Sequence, residues 1–276
     1  MTHLVRGRQE LAAARKVLPG SVGLVPTMGA LHEGHLANIR QAKARCESVV
    51  VSIFVNPMQF ERADDLERYP RRLADDLAVC EAEGVDVVWA PGVPDVYPNG
   101  PAQVWVTAGE LADQLEGPNR PGHFDGVLTV VSKLFARVAP DRAFFGEKDY
   151  QQLTLVRRLV ADLDTDVEII GVPTVREADG LALSSRNVFL STEERHQALV
   201  LITALRTGRD AAGNASAVLE AAGAVLAAAE GVDVHYLELR DPQLGRAPAS
   251  GSARLLVAAS VGATRLIDNL AVELTG

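Results

Sequence analysis

SVGLVPTMGALHEGHLANIRQAKARCESVVVSIFV, residues 21 to 55, decides how the rest of the chain is read. It opens on a short apolar run, SVGLVP at 21–26, and closes on a valine-rich one, SVVVSIFV at 48–55; both read as buried strands. Between them Leu36, Ile39, Ala42 and Cys46 recur at spacings of three, three and four, which puts them on one face of a helix. Parallel strands need such a crossover, and its hand is right-handed. The loop between Pro26 and Gly34 therefore falls at the carboxyl end of the first strand, where open α/β sheets bind ligands.

The alternation continues outward. A helix is expected at 71–83, with Leu73, Leu77 and Cys80 inward and Gly84 as its stop, then a strand at VDVVWA, 85–90. PDVYPNGP, 94–101, is turn material, and QVWVTA, 103–108, reads as a strand. LTVVSKLFARV, 128–138, gives a helix stopped near Pro140, RAFF at 142–145 a strand, 150–161 a helix and VEIIGV at 167–172 another strand. Strands alternating with helices specify an α/β fold with a doubly wound parallel sheet. After about residue 175 the order changes to two alanine-rich helices, 192–212 and 215–230, followed by the strand-like runs VHYLELR, ARLLVAASV and TRLIDNLAVEL. Helices segregated from strands indicate a smaller C-terminal α+β domain with an antiparallel sheet, so the expected domains are 1–175 and 176–276.

At 276 residues, 47% hydrophobic and 23% charged, the chain has material for a substantial core. A net charge of −9 argues against a polyanionic partner, so no nucleic acid is expected. Cys46 and Cys80, the two cysteines, fall in apolar helical patterns and read as buried thiols in a reducing cytoplasm. No run approaches the roughly 20 apolar residues of a membrane span, and MTHLVRGRQELAAARK has no continuous apolar segment. A soluble protein with no membrane partner follows.

PTMGALHEGH, 26–35, carries two histidines. A zinc-protease helix needs them at i and i+4 with glutamate beside the first, whereas His32 and His35 are three apart with Gly34 between. No serine or cysteine adjoins them to serve as a nucleophile. Phosphate fits: Gly29 and Gly34 let backbone approach closely, a helix beginning near Gly34 offers N–H groups and its positive dipole end, and two imidazoles can donate to oxyanions. The plain alternative, a surface turn histidine and a cap, is weaker at a sheet's carboxyl edge.

GEKDYQQ, 146–152, again follows a strand and opens a helix. Gly146 permits approach, Lys148 supplies a compact charge, Asp149 caps, and Gln151 or Gln152 can bond a polar substrate; placement lifts this above a capped helix with a solvated lysine. LSSRN, 183–187, offers hydroxyl and guanidinium donors suited to a polyphosphate, at a place where a hinge or lid is expected. In FVNPMQF, 54–60, Asn56-Pro57 ends the strand and leaves Gln59 to orient an organic acid. EGPNRPGHF, 116–124, adds Arg120 and His123 in a loop, a candidate lid or carboxylate clamp, and the acidic pair Asp75 and Asp76 is a candidate magnesium site against the commoner solvated helix face.

Taken together, PTMGALHEGHL, FVNPMQF, EGPNRPGHF, FFGEKDYQQL and VPTVREADGLALSSRN, in this order over nearly the whole chain, closely resemble the pantoate-beta-alanine ligases. HxGH with an SSR-type loop is also similar to the wider superfamily of nucleotidylyltransferases and class I aminoacyl-tRNA synthetases. The resemblance implies a Rossmann-like domain over 1–175 that binds ATP and pantoate, and a small lid domain over 176–276. It implies an ATP site of Met28, Gly29, Ala30, Leu31, His32, Glu33, Gly34 and His35, with Gly146, Glu147, Lys148, Asp149, Val175, Leu183, Ser184, Ser185 and Arg186. His35 is the implied catalytic histidine, assisted by His32, Lys148 and Arg186; Gln59 and Gln152 hold pantoate, Gln59 also lies near beta-alanine, and Asn56 and Arg120 join the substrate set. Mg²⁺ and a homodimer are implied as well. Leu183 stands where many members have methionine, a volume-conserving change, and Glu61 where glycine often follows NPMQF. The implied reaction condenses pantoate with beta-alanine through a pantoyl adenylate, releasing AMP and pyrophosphate. A nucleotidylyltransferase that keeps the nucleotidyl group, or a nucleotide-binding module without catalysis, are the competing expectations.

Overall fold

The computed structural model describes residues 1–60, 63–211 and 213–275, so Glu61 lies outside the described residues. The chain divides into two compact units, Met1–Glu147 with Gln151–Pro173, and Lys148–Tyr150 with Thr174–Gly276.

The first unit runs β1 (His3–Val5), α1 (Arg8–Val17), β2 (Val22–Thr27), α2 (Glu33–Arg45), β3 (Ser48–Ile53), α3 (Ala63–Arg68), α4 (Leu73–Ala82), β4 (Val87–Trp89), α5 (Val93–Val96), α6 (His123–Val138), β5 (Arg142–Gly146), α7 (Tyr150–Asp162, all but its first residue) and β6 (Glu168–Val172). Its sheet has the order β1-β4-β3-β2-β5-β6, with every neighbouring pair parallel. Val49, Val50 and Val51 of β3 are fully buried, as expected of a strand covered on both faces. On one face Ile39 and Ala42 of α2 pack with Val25, Val51, Cys46 and Phe144. Burying Ile39 alone contributes about 1.5–3 kcal/mol. The chain lays down β2, β3 and β4 to one side, then returns to place β5 against the other edge of β2. That reversal makes the carboxyl ends of β2 and β5 the topological switch point.

Several expectations change. β1 and α1 were not legible in MTHLVRGRQELAAARK, because a strand of three residues carries no alternation to read; it is held by pairing with β4. QVWVTA is not a strand: the Val106 and Ala108 N–H groups donate to Thr129 Oγ1 and Asp125 Oδ1, side chains of α6, in place of a ladder. α6 starts at His123 rather than 128, so His123 and Phe124 lie in a helix, not a loop. PDVYPNGP is turn-like only in part, since Val93–Val96 forms a helical turn with Asp95 accepting from the Gly92 N–H.

In the second unit α8 (Thr192–Asp210) and α9 (Ala215–Ala227) precede β7 (Val232–Arg240), β8 (Gly251–Val261) and β9 (Thr264–Leu274). The sheet is antiparallel in the order β7-β8-β9. Ser191 caps α8, accepting from the Glu194 N–H while Glu194 accepts from the Ser191 N–H. Leu201 and Leu205 of α8 and Val218 and Ala222 of α9 pack on Leu255, Val257 and Ala259 of β8. Among the described residues no helix is long and apolar enough to cross a membrane.

Candidate active site

At the carboxyl end of β2 the backbone turns sharply. Gly29 has φ +84° and Ala30 φ +50°, and a Cβ on Gly29 would come within 2.9 Å of Asp76 Oδ2. The left-handed alanine costs about 1 kcal/mol. Asp76, only 3% exposed on α4, offsets this: its Oδ2 accepts from the Ala30 N–H at 3.0 Å and its Oδ1 from the Leu31 N–H at 2.7 Å. Bonds to a carboxylate contribute about 1.5–3 kcal/mol each. Both oxygens are thus engaged by the loop, Asp75 beside it is exposed, and among the described residues no three His, Cys, Asp or Glu side chains converge as metal ligands. The acidic pair does not fit a protein-held magnesium ion; Asp76 shapes the loop.

His32 then caps α2. Its Nδ1 accepts from the Gly34 N–H at 3.1 Å, and the His32 N–H donates to His35 Nδ1 at 3.3 Å, a capping box made of two imidazoles with ring centroids 4.1 Å apart. An Nδ1 that accepts carries no proton, so in each neutral ring the proton sits on Nε2. Each ring thereby becomes a donor through Nε2, and an imidazolium would set N–H against N–H. Glu33 is drawn to Arg40 at 2.9 Å.

At the carboxyl end of β3, Pro57 opens a single 3-10 turn, Pro57–Gln59, capped by Asn56. Asn56 is 1% exposed and uses its whole hydrogen-bonding capacity inside the protein. Its Oδ1 accepts from the Met58 N–H (3.3 Å) and the Tyr97 hydroxyl (2.8 Å); its Nδ2 donates to Gly126 O (3.0 Å) and Gln59 Oε1 (3.2 Å). Asn56 therefore stands behind Gln59, not beside it as a second substrate ligand. Gln59 Nε2 points at Met28 Sδ, 3.1 Å away, and the Gln59 carbonyl accepts from His123 Nδ1 at 2.9 Å. α6 presses close here: a Cβ on Gly126 would lie 2.3 Å from Met58 O.

The two glutamines differ in burial. Gln151 Nε2 donates to Leu111 O and Gln114 O while its Oε1 accepts from the Glu116 N–H, so it ties down the segment that leads into EGPNRPGHF. Gln152 is half-buried, and Arg120 is half-exposed just after the 3-10 turn Gly117–Asn119. A pocket lined by Phe135, Leu159, Leu163 and Val167 opens at the other edge of the sheet, where β5 and β6 begin, and holds no motif residue.

β5 ends at Gly146, and Lys148–Tyr150 belong to the second unit. There the Lys148 carbonyl accepts from Asn269 Nδ2 at 3.0 Å, the Tyr150 hydroxyl donates to Pro242 O at 3.0 Å, and the Arg254 guanidinium lies 3.9 Å from the Tyr150 ring centroid. Neighbouring Asp268 is buried and forked by Arg176 at 2.7 and 2.9 Å. A bridge between Arg176 and Ala182 folds ADG into a turn, and the Leu183 N–H donates to Val175 O, so Val175 and Leu183 lie side by side. Ser184 Oγ accepts from the Arg186 N–H; Ser185 and Arg186 are exposed, and Asn187 Nδ2 anchors the turn to Glu177 Oε1 and Ala182 O. Asp76, Gln151, Asn187, Tyr97 and the Asp268-Asn269 pair are supports for which sequence reasoning assigned no such part. Of these, the paired carboxylates, Gln151 in GEKDYQQ and the N of LSSRN gave a local signal, each for a different part.

Both cysteines are buried and unpaired by disulfide. Burial pushes the Cys80 thiol up to about 12, with the Asp76 carboxylate adding to it, and burial likewise raises Cys46. Neither is a nucleophile.

Comparison with known proteins agrees along the whole chain. Residues 2–271 match the family model described as pantoate-beta-alanine ligase. The chain is 58% identical to the pantothenate synthetase of Salinispora arenicola, covering 99% of each, and 61% identical to that of Mycolicibacterium smegmatis, covering 91% of this chain and 80% of the relative. Among solved structures, the pantothenate synthetase of Thermus thermophilus superposes with a TM-score of 0.89 at 48% identity, over 97% of this chain and 98% of that one. The pantoate-beta-alanine ligase of Francisella tularensis, complexed with beta-gamma ATP and beta-alanine, gives 0.80 at 35% identity over 98% and 97%. With the HEGH loop and GEKD at the two strand ends that flank the switch point, and with these matches spanning both units, the chain belongs to the pantoate-beta-alanine ligase family.

Proposed function

We propose that this protein condenses pantoate with beta-alanine at the expense of ATP, through a pantoyl adenylate. A pantoate carboxylate oxygen attacks the α-phosphorus, the bond to the bridging oxygen breaks, and pyrophosphate leaves. The beta-alanine amine then attacks the acyl carbon, loses a proton, and displaces AMP. No step needs an enzyme nucleophile, which fits a site of donors and a pair of inert thiols. The protein's work is positioning and stabilising charge on phosphate oxygens.

The observation that carries this reading is the donor array after β2: an amide-rich loop, the start of α2 and two imidazoles whose protons sit on Nε2. In this reading His32 and His35 donate to ATP phosphates, with Met28–Leu31 and Gly34 approaching through backbone. Glu33, Gly146, Glu147, Asp149, Val175 and Leu183 border the nucleotide, Lys148 acts at the α-phosphate, and Ser184, Ser185 and Arg186 hold the departing pyrophosphate. Gln59, Gln152 and Arg120 take the organic acid, and Gln59 also meets beta-alanine. Residues 1–175 then form the ATP- and pantoate-binding domain and 176–276 a lid. Magnesium enters on the phosphates of ATP as part of the substrate. The working form is a homodimer in the cytoplasm.

Incubation with ATP, pantoate and beta-alanine tests the reading. AMP and pyrophosphate released only when pantoate is present support it. Nucleotide retained in the product indicates a nucleotidylyltransferase, and binding of ATP without turnover indicates a module without catalysis; either outcome contradicts the ligase.

A further inference from the structure

We infer that Tyr97 is a positioning residue that holds the Asn56 amide, and through it the end of the Gln59 amide that meets the organic acid, in the polarity the backbone sets; the inference rests on the ligase reading, which gives Gln59 that substrate. Four bonds fix the polarity. The Met58 N–H can only donate and Gly126 O can only accept, so Asn56 must place Oδ1 toward Met58 and Nδ2 toward Gly126. The Tyr97 hydroxyl, 2.8 Å from that Oδ1, is then its donor. Asn56 Nδ2 in turn faces Gln59 Oε1 at 3.2 Å, so the oxygen of Gln59 is turned inward and its NH₂ toward Met28 and the loop after β2.

The consequence is chemical. An amide that presents N–H bonds favours an acceptor-rich ligand such as a carboxylate, and a flipped one would present oxygen to oxygen. Tyr97 is suited to hold this arrangement at any working pH, because burial pushes its hydroxyl up to about 12 and keeps it a neutral donor. Its ring is fixed by Phe54, centroids 6.3 Å apart, and by Lys133 Nζ, 5.3 Å from the ring centroid. The hydroxyl touches Asn56 and not the site, so its effect passes through two amides. No motif reading singles it out, since it sits in the turn-like PDVYPNGP.

The test is Tyr97→Phe, which removes one oxygen and leaves the ring packing, measured by steady-state kinetics alone and combined with Gln59→Ala. The expected result is a rise of about tenfold in KM for pantoate, with KM for ATP and the thermal midpoint within about twofold and 2 °C of the unmodified enzyme. In the Gln59→Ala background the same substitution should add nothing, because the amide it orients is gone. An equal fold-loss in both backgrounds, parallel rises in both KM values, or no change in KM for pantoate overturns the inference. If the unmodified protein shows no pantoate-dependent turnover at all, the ligase reading falls and takes this inference with it.

Discussion

Residues 28–35 and residues 148–150 both follow a strand at the switch point, yet they are held in opposite ways. The first segment is stabilised mostly by its own neighbours: His32 and His35 cap α2 for each other, Thr27 Oγ1 accepts from the Gly29 N–H, and Asp76 clamps the loop from a distance. The second is stabilised from afar, with Lys148 bonded to Asn269 on β9, and Tyr150 to Pro242 and under Arg254. A donor site can thus be written into consecutive residues or assembled by residues a hundred positions away, and the two kinds should fail differently when cut.

The largest break is His35→Ala. It removes the acceptor of the His32 N–H and, on the proposed reading, a phosphate donor with it, and kcat should fall on the order of 10²-fold or more. Asp76→Ala comes next. It leaves two part-buried N–H groups without their carboxylate, so unfolding by denaturant should show a loss of about 3 kcal/mol and kcat/KM should fall at least tenfold, while Lys148, held in the other unit, keeps its anchors. Unchanged stability would mean that the loop holds itself without Asp76.

Asn269→Ala sharpens the other half of the comparison. Loss of the Asn269 bond to the Lys148 carbonyl should lower kcat by several-fold with a stability loss of about 1 kcal/mol; kcat equal to that of the unmodified protein would show that the lysine needs no such anchor. The smallest effect is a pH dependence beneath the loop. Cys80 is protonated in the folded state up to about 12, above its ordinary 9.0, so the folded state holds its proton more tightly than the unfolded one. Its contribution is complete below pH 9 and is lost as pH rises toward 12. Stability should therefore decline from pH 9 upward, less steeply in Cys80→Ala, and Cys80 should resist alkylation at pH 8 until the protein unfolds.

The same contrast explains what could be read from the sequence. The strand, helix, strand unit at 22–53 was legible because its apolar spacing and glycines are local. β1 was not, at three residues, and QVWVTA misled because β-forming residues there bond to α6 side chains instead of a strand. The histidine pair was legible from spacing and placement. The part played by Asp76 was not: adjacent carboxylates suggest a cation until burial shows one of them accepting two amides across 45 residues of chain. The local pattern GEKDYQQ left Gln151 and Gln152 open and only the resemblance pointed to Gln152; in the structure the carbonyls of Leu111 and Gln114 occupy the Gln151 amide. Supports such as Tyr97, Asn187 and Asn269 act through partners that no local pattern reveals.

In the proposed reaction pantoate is activated by attack of its carboxylate on the α-phosphorus of ATP. Turnover of pantoate labelled with ¹⁸O in both carboxylate oxygens, with beta-alanine and unlabelled ATP, tests it most directly. One ¹⁸O is expected in the AMP released, carried there when the amine breaks the acyl-oxygen bond, and the other in the amide of the product. Unlabelled AMP, or label in pyrophosphate, would contradict it.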